Sequence, residues 1–130
     1  MGYSDELAHK IEAGCDMFLM PSLFEPCGLN QIYSLRYGTL PIVHATGGLD
    51  DTIDNFTLEN PNPNGFKFYA PNNDALYHTV MWAVGVYLDD KESFLRMQKH
   101  AMGMHFGWDD AAKSYDEVYR YAINNRNIAN

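Results

Sequence analysis

Short apolar runs alternate along the chain with segments of helical spacing. Three runs have the length of a strand: 16–21, 40–44 and 65–69. The first two are continuous and apolar, which is typical of a strand covered on both faces. Apolar residues that recur every three or four positions predict helices in six further segments: 4–13, 29–37, 49–54, 74–88, 93–100 and 109–123. Asp74 is the expected N-cap of the helix at 74–88.

This order of elements predicts an α/β fold. Strands that alternate with helices form βαβ crossovers and hence a parallel sheet. Three strands are fewer than a doubly wound domain normally has, so the pattern resembles the back part of a Rossmann-like domain. We expect residues 1–123 to form this partial domain and residues 124–130 to form a polar tail.

Composition and charge exclude several classes of function. Of the 130 residues, 46% are hydrophobic, which indicates one packed domain. The formal net charge is −8 and the basic residues form no run, so neither a nucleic acid nor an anionic membrane is an expected partner. No apolar stretch is long enough to span a membrane, and the acidic start does not resemble a secretion signal. Cys15 and Cys27 lack metal-ligand spacing, so we expect reduced thiols, no metal and a cytoplasmic protein.

The loop after the first strand is the first candidate site. Glu25 precedes Gly28, Leu29 and Asn30, where a helix is expected to begin. The free N–H groups and the dipole of a helix start can hold a phosphate, and a carboxylate can accept hydrogen bonds from sugar hydroxyls. The alternative is that Gly28 serves only the turn and that Glu25 is a solvated acid.

The loop after the second strand is the other candidate. Thr46, Gly47 and Gly48 combine a hydroxyl with two glycines that permit positive φ and close approach of the backbone. A simple strand-to-helix turn would have the same residues. Because ligands of open parallel sheets bind at the carboxyl ends of the strands, the two loops together predict a phosphorylated ligand.

A series of motifs carries a resemblance to a known family. Residues 25–33, Glu-Pro-Cys-Gly-Leu-Asn-Gln-Ile-Tyr, and the following residues 36–43 resemble the bacterial glycogen synthases and plant starch synthases. Residues 46–52 match the next motif of that family, and residues 108–115 resemble its C-terminal segment. The similarity extends over about residues 3–123, nearly the whole chain.

The resemblance implies a retaining glycosyltransferase of the GT-B type. Such enzymes transfer glucose from ADP-glucose to the non-reducing end of an α-1,4-glucan and need no metal or other cofactor. Glu25 would then bind the donor glucose and act in catalysis. Tyr33 occupies the position where many wider relatives have a ribose-binding glutamate, which leaves ribose recognition open. The resemblance places the donor-binding residues at Cys27, Gly28, Leu29, Asn30, Tyr33, Thr46, Gly47 and Gly48.

The resemblance also implies parts that this sequence does not contain. These are the N-terminal domain of the family, with its Lys-x-Gly-Gly motif, and an Arg and Lys pair that neutralises the diphosphate. Lys10, Arg36 and Lys67 lie in segments not aimed at the two loops. We therefore expect the chain alone to be inactive, to bind nucleotide weakly and to form a homodimer through the truncated face.

Two other classes of function remain open. One is a non-catalytic module that binds nucleotide or glucan, or that assembles with a partner. The other is an unrelated flavodoxin-like binding domain, although three motifs in order argue against chance. The cytoplasm of a bacterium is the expected location, or the plastid stroma if the source is a plant.

Overall fold

The structure, a computed structural model, describes residues 2 and 4–126. It contains a parallel three-stranded sheet and six helices in the described part of the chain. In chain order these are α1 (Asp5–Gly14), β1 (Met17–Met20), α2 (Asn30–Tyr37), β2 (Leu40–His44), α3 (Gly47–Thr52), β3 (Phe66–Phe68), α4 (Asn73–Asp89), α5 (Lys91–Gly103) and α6 (Trp108–Arg126). The predicted α/β class and the order of elements are confirmed.

The sheet has the strand order β1-β2-β3, and both pairs are parallel. The central strand β2 is buried along its whole length, as its continuous apolar sequence predicts. Helices α2, α4 and α5 pack against the sheet or against each other. The core between these elements consists mainly of fully buried apolar side chains, including Leu35, Leu40, Val43, Leu49, Ile53, Phe66, Phe94 and Met97.

The edge strand β1 is less buried than its sequence predicts. In the sheet register Leu19 lies beside Ile42, and Ile42 lies beside Phe66 on the same face. Ile42 and Phe66 are buried, whereas Leu19 is 46% exposed. The expectation that β1 is covered on both faces is wrong for Leu19, because no described strand lies beyond β1.

We expect the open edge of β1 to make the chain self-associate. An unpaired strand with an exposed leucine and two half-buried apolar neighbours offers free backbone groups and apolar surface to a second copy. Replacing Leu19 with lysine should raise the dimer dissociation constant by about tenfold, because the charge must be desolvated in the contact. Sedimentation at tens of micromolar measures this constant.

The matched control is Leu58→Lys, since Leu58 is 85% exposed in a loop far along the sequence from β1. A monomeric wild type, or equal effects of both substitutions, would contradict the expectation.

Side chains cap the starts of α1, α4 and α5, and helices α3, α4 and α5 begin earlier than the sequence predicts. Ser4 caps α1 by accepting a hydrogen bond from the Leu7 N–H at 3.4 Å. Helix α4 begins earlier than expected, because the Asn72 side chain accepts from the Ala75 N–H at 2.9 Å. Asp74 is therefore a residue of the first turn and not the N-cap. Asn and Asp are both favourable N-cap residues, and Asn72, which comes first along the chain, is the cap.

Helix α6 is the least packed element. None of its nineteen residues is buried, although it carries apolar side chains such as Tyr115, Val118 and Ile123. It continues through Arg126, so residues 124–126 of the expected polar tail are helical. The remainder of that tail, 127–130, lies outside the described residues. Of the helices that the structure describes, none is both long and apolar enough to cross a membrane.

Candidate functional site

The two candidate loops meet at one edge of the sheet. Because β1 and β2 are parallel neighbours, the segments that follow them leave the sheet on the same side. The Gly48 N–H donates a hydrogen bond to the Glu25 carbonyl oxygen at 3.1 Å. The sequence placed these loops at the same edge from topology alone, and the structure brings them into direct contact.

This contact requires glycine at both positions of the second loop. Gly47 has a φ of +46°, and a Cβ atom there would lie 2.1 Å from the Glu25 carbonyl oxygen. A Cβ atom on Gly48 would lie 1.9 Å from the Cys27 carbonyl oxygen. Such distances are far below van der Waals contact, and the atoms that obstruct are backbone atoms. The two glycines thus let one backbone lie against the other.

The first loop ends in an open helix start. Gly28 has a φ of +76°, which turns the chain into α2. No side chain caps this helix, and the N–H groups of Gly28, Leu29 and Asn30 form no backbone hydrogen bond within the described residues. Uncapped N–H groups and the helix dipole attract an anion. The phosphate-binding role of this loop stays a prediction.

Gln31 is a part of the site that sequence reasoning missed. Its side chain is fully buried, and its Nε2 atom donates to the carbonyl oxygens of Cys27 and Gly28, both at 3.0 Å. The same atom lies 3.3 Å from Thr52 Oγ1, which in turn donates to the Gly48 carbonyl oxygen. One signal was available, because Gln31 shares the inward face of α2 with Leu35, four residues later.

The remaining site residues differ in what they contact. Glu25 is half-buried, and its carboxylate forms no hydrogen bond or ion pair with the described residues. Cys27 is exposed, with its Sγ atom 3.7 Å from the Gly28 carbonyl oxygen. Tyr33 lies away from the two loops: its ring is 5.2 Å from the ring of His9 on α1. The structure therefore unites the glycine turns with the backbone of Glu25. Tyr33 meets the first loop only through its backbone, where its N–H donates to the Leu29 carbonyl oxygen at 2.9 Å.

The nearby basic side chains are engaged elsewhere. Lys10 pairs with a glutamate on its own helix, and Arg36 donates to the Met102 carbonyl oxygen at 2.9 Å. Lys67 does reach the helix of the second loop, where its Nζ atom lies 2.7 Å from Asp50 Oδ1. Within the described residues, the hydrogen bonds and ion pairs of lysine and arginine do not involve residues 25–30 or 46–48. An anion at these loops would be held by N–H groups.

His44 fixes the end of β2 to the start of the first loop. It is buried, its Nδ1 atom is 2.8 Å from the Ser22 carbonyl oxygen, and its ring stacks at 5.4 Å on Phe68. A cavity of about 150 Å³ lies at this edge and is lined in part by Leu23, Phe68 and Asn72. Because its ring nitrogen already has a backbone partner, His44 has a structural role at this edge.

Comparison with curated proteins shows bacterial glycogen synthases as relatives. Glycogen synthase 1 of Geobacter sulfurreducens is 52% identical over 126 residues, which cover 97% of this chain and 25% of that protein. The glycogen synthase of Vibrio parahaemolyticus is 50% identical over 122 residues, with 94% and 25% covered. No protein-family model matches the chain. The chain thus spans about a quarter of the length of these relatives.

Comparison with solved structures agrees with the comparison of sequences. The catalytic domain of starch synthase IV from Arabidopsis thaliana, solved with ADP and acarbose, has 33% identity and a TM-score of 0.81 over 95% of this chain and 26% of that one. Sucrose-phosphate synthase from Thermosynechococcus elongatus shares the fold at 22% identity and a TM-score of 0.63, over 95% and 30% of the two chains. The resemblance is confirmed: over nearly its whole length, the chain is a homologue of the glycogen synthases and starch synthases, a family of glycosyltransferases.

Proposed function

We propose that this chain forms one wall of the donor site of a retaining glucosyltransferase, which transfers glucose from ADP-glucose to an α-1,4-glucan. The observation that carries the proposal is the junction of the two loops at the carboxyl edge of the sheet. There the backbone of Glu25 accepts the Gly48 N–H, and the chain continues from Glu25 into the open start of α2 at Asn30. The identity of about 50% to glycogen synthases over these motifs supports the substrate class.

Each loop has a distinct role in this proposal. The N–H groups of Gly28, Leu29 and Asn30 would donate to the phosphate next to the glucose, where negative charge develops as the glycosidic bond breaks. Glu25 would accept hydrogen bonds from glucose hydroxyls and stabilise the oxocarbenium-like transition state. Thr46 would offer its hydroxyl on the far side of the diphosphate.

Three predicted donor residues contribute less directly. The N–H of Gly48 is already bound to Glu25, so this residue serves the fit between the loops through its missing side chain. Gly47 contributes in the same way and adds a positive φ. Tyr33, which lies against His9, would approach the ribose only from the side of α1.

We also propose that the chain by itself does not catalyse transfer. A diphosphate leaving group carries charge that N–H groups neutralise only in part. Among the described residues, the hydrogen bonds and ion pairs of lysine and arginine do not reach the two loops. Loss of one charged stabilising group raises a reaction barrier by several kcal/mol, on the order of 3. In the family, the N-terminal domain and the front of the donor domain would supply these groups and the acceptor site.

A heteronuclear NMR titration of the labelled chain tests the donor-site proposal. ADP should shift the amides of Gly28, Leu29, Asn30, Thr46 and Gly47, because phosphate oxygens would accept their hydrogens or lie beside them. The experiment is repeated with ADP-glucose and with the variant Glu25→Gln. If Glu25 binds the glucose, the variant should weaken binding of ADP-glucose by about fivefold and leave binding of ADP unchanged.

Glucose without nucleotide and sulfate at the same ionic strength are the control ligands for this titration. A well-dispersed spectrum with no shifts at millimolar ADP would reject nucleotide binding by the isolated chain. Equal weakening of ADP and ADP-glucose by Glu25→Gln would reject the glucose-binding role of Glu25 and leave the phosphate site in place.

A further inference from the structure

The side chain of Gln31 joins the two site loops through a chain of hydrogen bonds. The two hydrogens of its amide nitrogen are shared among three acceptors: the Cys27 and Gly28 carbonyl oxygens and the Thr52 hydroxyl oxygen. The Thr52 hydroxyl uses its single hydrogen to bond the Gly48 carbonyl oxygen in the second loop. The connection therefore runs from Cys27 and Gly28 through the buried amide of Gln31 and the half-buried hydroxyl of Thr52 to Gly48.

The orientation of the Gln31 amide is determined by its neighbours. Reversing the amide would place its oxygen against the carbonyl oxygens of Cys27 and Gly28, which cannot donate. The observed orientation leaves the buried Oε1 atom without a hydrogen-bond partner among the described residues. An unpaired buried acceptor is unfavourable, so the three contacts of Nε2 must outweigh it.

Neither residue is in a position to act on a ligand itself. Gln31 is fully buried, and a Cβ atom on Gly28 would lie 2.4 Å from its Oε1 atom, so the Gly28 backbone covers the amide directly. The Thr52 hydroxyl is bonded to the backbone of its own helix. Both side chains contact the backbone that would bind the ligand, so they support the site without touching the ligand.

We propose that Gln31 and Thr52 are positioning residues that couple the Gly28 turn to the Gly47–Gly48 turn, so that both turns meet a nucleoside diphosphate as one rigid unit. This inference rests on the proposed donor-binding function. A loop that moves by about 1 Å loses much of its binding or catalytic contribution, so the spacing of the turns matters more than the stability of either one.

Three single variants and one double variant test the coupling. Gln31→Met keeps the length of the side chain and removes its amide, whereas Thr52→Val keeps the shape and removes the hydroxyl. Each should weaken ADP binding, measured by NMR titration, by about tenfold. Thr52→Ser retains the hydroxyl and should bind within about twofold of the wild type. The double variant Gln31→Met with Thr52→Val should bind ADP no more weakly than the weaker-binding single variant, because the two substitutions break the same connection.

Gln98→Met is the matched control. Gln98 also donates to the carbonyl oxygen of a positive-φ glycine, Gly38, at 2.7 Å, but at the other end of α2. It should reduce the stability of the chain and leave ADP affinity unchanged. If Gln98→Met weakens ADP binding as much as Gln31→Met does, the effect of Gln31 is general destabilisation and the proposal fails.

Hydrogen exchange of the ligand-free chain separates this proposal from the donor-site proposal. The Gly48 N–H bonds the first loop, so Gln31→Met should speed its exchange by about tenfold although Gln31 does not contact that group. If this occurs and the wild type does not bind ADP, the coupling stands and the nucleotide role is rejected. If exchange at Gly48 is unchanged, or if the effects of the two single variants add, the coupling is rejected whatever the ligand result.

Discussion

Replacing Gly48 with alanine is expected to lower the free energy of unfolding by about 3 kcal/mol and to abolish the response of the site loops to ADP. The new Cβ atom would lie 1.9 Å from the Cys27 carbonyl oxygen, so one of the two backbones must move. Movement would also break the hydrogen bond from the Gly48 N–H to Glu25. Urea unfolding measures the first effect, and NMR titration with ADP measures the second.

Gly85→Ala is the control for this substitution and should have the opposite sign. Gly85 lies inside α4, and a Cβ atom there would meet no other atom within 4 Å. Alanine at a helix interior is more favourable than glycine by about 1 kcal/mol, so the free energy of unfolding should rise. A Gly48→Ala variant as stable as the wild type would show that the loops do not approach as closely as described.

Replacing Glu12 with glutamine is expected to stabilise the chain at neutral pH by about 1–2 kcal/mol. Glu12 lies on α1 and is 4% exposed, and its Oε2 atom has no hydrogen-bond partner within the described residues. Burial raises the pKa of its carboxyl group above the ordinary value of 4.5, and the charge of His9 opposes this in part. At pH 7 the folded chain must hold this group either as a desolvated charge or with a proton that the unfolded chain releases, and glutamine removes that cost at nearly constant shape.

The sign of the pH dependence follows from the direction of the pKa shift. A carboxyl group with a raised pKa binds its proton more tightly in the folded state than in the unfolded state. The group therefore favours folding at pH values below its unfolded pKa, and this contribution is lost as the pH rises through its folded pKa. The stabilisation by Glu12→Gln should therefore be large at pH 7 and disappear at about pH 4. Glu6→Gln, an exposed acid on the same helix, should change stability little at either pH. An advantage of Glu12→Gln that does not vary with pH would contradict the role of its charge.

Much of the architecture could be predicted from local sequence signals. The apolar run of β2 is surrounded by a strand on each side, so its pattern and its burial agree. Gly38 ends α2 with a φ of +78°, as expected of a glycine at a helix C-terminus. The two glycine loops could be located because topology alone places them at the same edge.

The details that escaped prediction depend on contacts between distant residues. Whether Leu19 is covered depends on what lies beside β1, and its own pattern does not contain that information. Gln31 shows the same limit, because its partner Thr52 is 21 residues away and neither residue type is unusual in a helix. Sequence reasoning found the groups that would touch a ligand but not the side chains behind them, Gln31 and Thr52, that hold them in place.

The exposure of α6 gives the chain two levels of stability. None of the nineteen residues of α6 is buried, so this helix gains little from tertiary packing. It depends on local helix propensity and on surface ion pairs such as Lys113–Asp110 and Arg120–Asp116. Such a helix opens without unfolding the sheet, whereas β2 can exchange its amides only when the core opens. Thermal melting followed by helical signal would therefore be broader than melting followed by a core aromatic such as Phe66 or Phe94, and a single melting temperature would describe only the core.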